Sequence, residues 1–152
     1  MAPRTRIGAE RAAADPQLLV GTRVGLFTNF TGTMPDLSRN IDALTRADAR
    51  LHHLFGPEHG LDGAVQAGES SSIERDERSG LPFSDTYLTE GERLDEMIAA
   101  SGVDALAFDM QDIGVRFYTY IWTMYDAMRS AARLGLPFTV LDRPNPLGGA
   151  LL

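Results

Sequence analysis

Four short stretches of this 152-residue chain carry side chains able to do chemistry. Glu58 and His59 stand together in the turn Gly56-Pro57-Glu58-His59-Gly60. Asp109, Gln111, Asp112 and Arg116 follow one another closely, with Tyr118 and Tyr120 just beyond. Asp142, Arg143 and Asn145 are interleaved with Pro144 and Pro146, and Asn29 is followed by Phe30 and Thr31. Carboxylates exchange protons, amides and phenols both donate and accept hydrogen bonds, and guanidinium forks grip carboxylates. Such an inventory suits a polar, hydroxylated ligand. Each piece taken alone has a local explanation. Glu58 could be a solvated loop acid, His59 a hydrogen-bonded turn residue, and Asp109 or Asp112 a helix cap. Arg116 and Arg143 could pair with those acids, and Asn145 could serve its turn. Four such clusters in one chain are harder to explain as four independent turns.

The elements that must position them follow from the apolar pattern. Residues 23–29 (RVGLFTN), 51–55 (LHHLF), 103–109 (VDALAFD) and 138–142 (FTVLD) are short apolar runs that read as strands buried on both faces. Between them lie helical patterns. Residues 38–47 carry Ile41 and Leu44, with Ser38 or Asp36 as N-cap, and 92–100 place Leu94, Met97 and Ile98 on one side before Gly102. Residues 117–134 carry Ile121, Met124, Tyr125, Met128, Ala131 and Ala132 as a core-facing stripe, ended by Gly135 and Pro137. Strands alternating with helices imply a parallel α/β sheet with right-handed crossovers, and ligands of such sheets bind beyond the carboxyl ends of the strands. Every cluster follows a strand. Residues 60–88, rich in Gly, Ser and acids, break the rhythm and read as a long loop forming a wall or lid.

Composition removes several chemistries. The net charge is −7, all 14 basic residues are Arg, and the chain has no Lys, no Cys and three His. This excludes disulfides, Cys-ligated metals, thiol nucleophiles and Schiff-base or P-loop lysines. The acidic balance argues against nucleic acid and anionic membranes, and no apolar run is long enough to span a bilayer. No G-x-G-x-x-G follows the first strand and no G-x-S-x-G is present. His52-His53 is a poor metal pair on a strand, and a His59 site with Asp109 and Asp112 is disfavoured by its ligand types. No metal and no cofactor are expected. Residues 1–16 contain no secretory signal as written, which leaves the compartment open.

The segments Leu54-Phe55-Gly56-Pro57-Glu58-His59-Gly60, 108–120 (FDMQDIGVRFYTY) and 141–149 (LDRPNPLGG), with the opening strand GTRVGLFTN and the loop Ser79-Gly80-Leu81-Pro82, resemble the exo-β-N-acetylmuramidase family of the NamZ type. The resemblance runs from about residue 6 to the end. It implies a Rossmann-like parallel sheet with flanking helices, a lead-in over 1–20 and a catalytic N-terminal domain over 21–152 that lacks the family's C-terminal half. It also implies a glycoside hydrolase releasing N-acetylmuramic acid from the non-reducing end of peptidoglycan fragments, in cell-wall recycling. Its Glu motif maps onto Glu58.

Glycosidic cleavage needs a proton donor and commonly a second carboxylate. Glu58 is expected to be the donor, His59 its orienting neighbour, and Asp109 or Asp112 the second carboxylate, unless the substrate's acetamido group supplies the nucleophile. Arg116 or Arg143 would pair with the lactyl carboxylate. Asn29, Gln111, Tyr118, Asp142 and Asn145 complete the expected substrate contacts. The alternatives are a non-catalytic sugar- or muropeptide-binding module and a nucleotide-binding α/β domain. The chain alone is expected to turn over little substrate and to expose an apolar face where the missing half would dock.

Overall fold

In the computed structural model, which describes residues 5–148, β1 (Val24–Thr28) and β4 (Ala105–Asp109) are buried along their whole length. Strands lacking polar alternation need cover on both faces, and here they receive it at the centre of the sheet. The five strands are all parallel, in the order β3-β2-β1-β4-β5, with β2 at Leu51–Gly56, β3 at Phe83–Asp85 and β5 at Phe138–Val140. Residues 1–4 and 149–152, including the final glycine of the third sequence motif, lie outside the described residues.

Successive strand side chains point to opposite faces, and the two faces build separate cores. Val24 and Leu26 join Leu54 and Ala107 on one face, under α1 (Gly8–Ala14) and α2 (Asn40–Arg46). Phe27 joins Phe55, Leu106 and Phe108 on the other, under α3 (Gly91–Ser101) and α4 (Tyr120–Leu134). Phe27 and Phe55 stack at 4.6 Å. The helices α3 and α4 end at Gly102 and Gly135, whose φ of 72° and 67° favour glycine. They are tied together by Arg133, whose Nε and a terminal nitrogen donate to the two Asp95 oxygens at 2.6 and 2.8 Å.

The described part of the lead-in, residues 5–20, packs into this fold. Ala9 and Ala12 of α1 are fully buried, and Arg50 donates to the carbonyls of Pro16 and Leu19 at 2.9 and 2.7 Å.

Three expectations are corrected. Residues 60–88 contain β3, which is only three residues long and therefore left no legible apolar run. The segment also gives Leu61 and Phe83 to the α1/α2 core, where no helix connects β2 to β3. Neither Ser38 nor Asp36 caps α2. Asp36 instead accepts from the Ser38 backbone at 3.0 Å in a turn of its own, and the helix begins after Arg39. The face of α4 is rotated by about one residue, or 100°. Tyr120, Ala127, Ser130 and Ala131 are buried, whereas Ile121, Tyr125 and Met128 are about half exposed beside the still more exposed Trp122. Small residues at 127, 130 and 131 let the helix approach the sheet closely, and the bulky stripe stays outside.

The close approach of α1 to the end of β5 is testable. Gly8 donates its N–H to the Asp142 carbonyl at 2.8 Å, and a Cβ there would land on the Leu141 backbone. Backbone cannot swing aside as a flexible side chain can. Gly8→Ala is expected to cost about 1–3 kcal/mol in urea denaturation.

Candidate active site

The chain runs from β1 toward one side of the sheet and returns from β3, through α3, to the other side of β1. The topological switch point therefore lies between β1 and β4, where doubly wound folds normally receive ligands. Here that point is filled. The Asp109 carboxylate, fully buried, accepts from Arg143 Nε at 2.5 Å and from an Arg143 terminal nitrogen at 2.9 Å. It also accepts from Asn40 Nδ2 at 2.7 Å. Asn40 reaches Thr28 Oγ1 at 2.8 Å, Thr28 donates back to the Asp109 carbonyl at 2.9 Å, and Arg143 donates to the Thr33 carbonyl at 3.0 Å. Asp109 and Arg143 are thus each other's partners, and Asp109 does not face solvent.

The remaining expected site residues are scattered: Glu58 lines one cavity beside the α4 N-terminus, four others line a second, and Asn29 lines a third. One, of about 300 Å³, is lined by Glu58, Tyr87, Glu90, Thr119, Trp122 and Asp126 among others. The second, of about 260 Å³, is lined by Gln111, Asp112, Asp142, Arg143 and Asn145, with apolar walls from Met110, Ile121 and Met124. Thr119 faces the first cavity and Tyr120 the second, since neighbours on a helix diverge by about 100°. Asn29 is buried, and its Oδ1 accepts from the Thr31 amide and hydroxyl at 3.0 and 2.6 Å. Thr31 in turn accepts from the Gln111 amide at 2.9 Å. Asp112 accepts from the Gly114 amide at 2.5 Å and Asn145 from the Leu147 amide at 2.9 Å, both turn contacts.

Around Glu58 the geometry is that of a held carboxylate. The Thr119 hydroxyl donates to its Oε2 at 3.2 Å, and Tyr87 lines the cavity beside it. Burial, then the Glu58 charge, pushes the Tyr87 phenol above its ordinary pKa, so it stays a donor. Tyr118 and Tyr120 pack edge to face at 4.7 Å, and burial keeps the Tyr120 hydroxyl protonated as well. His59 has a left-handed backbone, φ 73°, and its Nδ1 lies 3.1 Å from the Val65 carbonyl. A carbonyl can only accept, so Nδ1 carries the proton and the ring pins the loop that presents Glu58. The Val65 amide returns a bond to the His59 carbonyl at 3.3 Å. Arg116 is exposed and makes no hydrogen bond or ion pair among the described residues. Among those residues no three His, Asp or Glu side chains are grouped to hold a metal ion, and no helix is long and apolar enough to cross a membrane.

Residues 24–152 match the family described as exo-beta-N-acetylmuramidase NamZ, N-terminal. The chain belongs to that family. It is 44% identical over 149 residues to the peptidoglycan beta-N-acetylmuramidase NamZ of Bacillus subtilis (strain 168), a match covering 97% of this chain and 36% of the relative. Two crystal structures of DUF1343 family proteins from Bacteroides fragilis NCTC 9343 share the fold. One has a TM-score of 0.78 at 42% identity, covering 97% of this chain and 37% of the other. The second has a TM-score of 0.70 at 30% identity, covering 95% and 36%. The chain therefore spans little more than a third of the length of these relatives.

As a NamZ-family N-terminal domain, the chain places its Glu motif at the rim of β2 and builds the surrounding cavity from residues that sequence reasoning does not single out. Tyr87 follows the cryptic strand β3. Thr119 lies between the two tyrosines of the second motif, and Trp122 and Asp126 sit on the face of α4 that the apolar stripe obscured. The i, i+4, i+7 spacing of Thr119, Thr123 and Asp126 is the signal that could have found them.

The buried pair gives a sharp expectation. Arg143→Ala strands a fully buried carboxylate, which should cost about 3–5 kcal/mol in chemical denaturation. Arg116→Ala, at an exposed site, should leave the denaturation midpoint nearly unchanged.

Proposed function

We propose that this chain is the Glu58-bearing part of a glycoside hydrolase that releases N-acetylmuramic acid from the non-reducing end of peptidoglycan fragments during cell-wall recycling. The observation that carries the reading is the Glu58 carboxylate, bonded by Thr119 and lining, with Tyr87, a cavity beyond the end of β2. A volume of about 300 Å³ sits at the small end of ligand sites and suits one sugar ring. Trp122 and Tyr87 supply aromatic surface for the ring's apolar face, and the threonine hydroxyls supply partners for its polar edge. The family membership and the Bacillus subtilis relative's name support the same substrate class.

In this reading Glu58 protonates the glycosidic oxygen as the bond to the anomeric carbon breaks. Thr119 fixes the direction of that proton, and His59 acts at one remove by setting the loop. The lactyl carboxylate is met by Arg116, whose guanidinium has no partner among the described residues, rather than by Arg143, which Asp109 already holds. The rest of the chain in proteins of the relatives' length is proposed to close the other side of the cleft.

Two measurements test this on a protein carrying the sequence at the full length of its relatives. Glu58→Gln should lower kcat on a chromogenic β-N-acetylmuramide by about 100-fold or more with its thermal melt unchanged. Arg116→Ala should raise KM about 10-fold or more for the muramide, and should leave KM for a glucosaminide lacking the lactyl group unchanged. Full activity of the Glu58 variant would defeat the reading.

A further inference from the structure

We propose that Asp126, on the second turn of α4, is the second carboxylate of the Glu58 cavity and the base that activates the attacking water. This rests on the glycosidase reading above and deepens it. Asp126 lines the same cavity as Glu58, together with Trp122 and Thr123. Thr119, Thr123 and Asp126 share one face of the helix, and the Thr119 hydroxyl touches Glu58. Asp126 stands seven positions beyond Thr119, a rise of about 10 Å along the helix. Carboxylates that share a cavity of about 300 Å³ without touching have room for a water between them, the arrangement of enzymes that attack with water and not with a direct carboxylate nucleophile.

The other acids are less suited. Asp109 is buried against Arg143 and Asn40. Asp112 faces the second cavity and caps its own turn, and Glu90 is exposed at the start of α3. The charges bearing on Asp126 come from both packed helices: Glu90 before α3, and Arg129 and Arg133 on α4. Burial and then Glu90 raise the Asp126 pKa above the ordinary carboxylate value, against the two arginines. A carboxylate so placed is a stronger base than a solvated one.

The step balances. Asp126 takes one proton from water, whose oxygen bonds to the anomeric carbon as the carbon–oxygen bond to the leaving sugar breaks. Glu58 gives its proton to that departing oxygen. The first product is the α-anomer of N-acetylmuramic acid, and the two carboxyl groups reset by exchange with solvent.

The test again uses the sequence at the full length of its relatives. Asp126→Ala is expected to lower kcat on an aryl β-N-acetylmuramide by about 100-fold or more with KM changed less than about threefold. Azide should restore part of the turnover and yield the α-glycosyl azide. Asp126→Asn, nearly isosteric, should show the same loss with an unchanged melt. Proton NMR should show the α-anomer formed first by the unsubstituted enzyme. Near-native kcat in both Asp126 variants beside an inactive Glu58→Gln would overturn this assignment and leave the glycosidase reading standing. So would a β-anomer formed first, or a loss that azide does not relieve. No muramidase activity in the unsubstituted protein, or none lost on Glu58→Gln, would remove the reading itself and this assignment with it.

Discussion

One buried ion pair organises this domain. Asp109 ends β4, and Arg143 follows β5. Asn40 opens α2, and Thr28 ends β1. All four meet within hydrogen-bond distance at the carboxyl edge of the sheet. A carboxylate with no solvent contact is tolerable only when its charge is neutralised and its lone pairs are filled. Here a guanidinium does the first and, with the Asn40 amide, most of the second. Gly32 belongs to the same arrangement, because a Cβ there would intrude between the Asn40 amide and the Thr28 hydroxyl. The pair locates the ends of four elements relative to one another more tightly than apolar packing alone would.

Filling the switch point displaces the open space to either side of it. In a doubly wound sheet the crevice between β1 and β4 is the ready-made site, but here polar side chains occupy it. Space remains on its flanks, and the α4 N-terminus divides that space in two. The flank beneath β2 and β3 receives Glu58, and the cavity there is completed by residues from three separate connections: the loop after β2, the loop after β3, and the start of α4. The length of the β2–β3 connection then has a structural meaning. It crosses over without a helix, contributes Leu61 to the core, and leads into β3, beyond which Tyr87 joins Glu58 in lining the cavity.

Much of this was legible in the sequence, for reasons that also explain the rest. The runs at 23–29 and 103–109 are continuously apolar because their strands are covered on both faces, and they appear as β1 and β4 with small changes at the ends. Glu58 alone had a local explanation as a loop acid, and what singled it out was its place in a turn after a strand together with the resemblance of the surrounding motif. Asp109 was not separable from Asp112 by type alone: only the fold shows that one is walled in by Arg143 and Asn40 while the other ends in a turn. β3 escaped notice because three residues carry no periodicity. The stripe on α4 misled because size and burial part company there, with Ala127 and Ala131 inside and Tyr125 and Met128 half outside.

The distribution of charge sets how an anionic sugar must lie in such a site. Several arginines are committed to acids within the fold: Arg39 to Asp76, Arg133 to Asp95, Arg143 to Asp109. The Glu58 cavity, by contrast, is lined by Glu58, Glu90 and Asp126 with no arginine among its lining residues. A lactyl carboxylate pushed into that cavity would face like charges in a partly desolvated space, where repulsion is least screened. Arg116, exposed on the loop that leads into α4, is not among those lining residues. In the proposed glycosidase, repulsion at the floor and attraction to Arg116 outside would together favour one orientation of a muramic acid ring. That orientation turns the lactyl group away from the cavity and leaves the glycosidic oxygen to Glu58, the proposed proton donor.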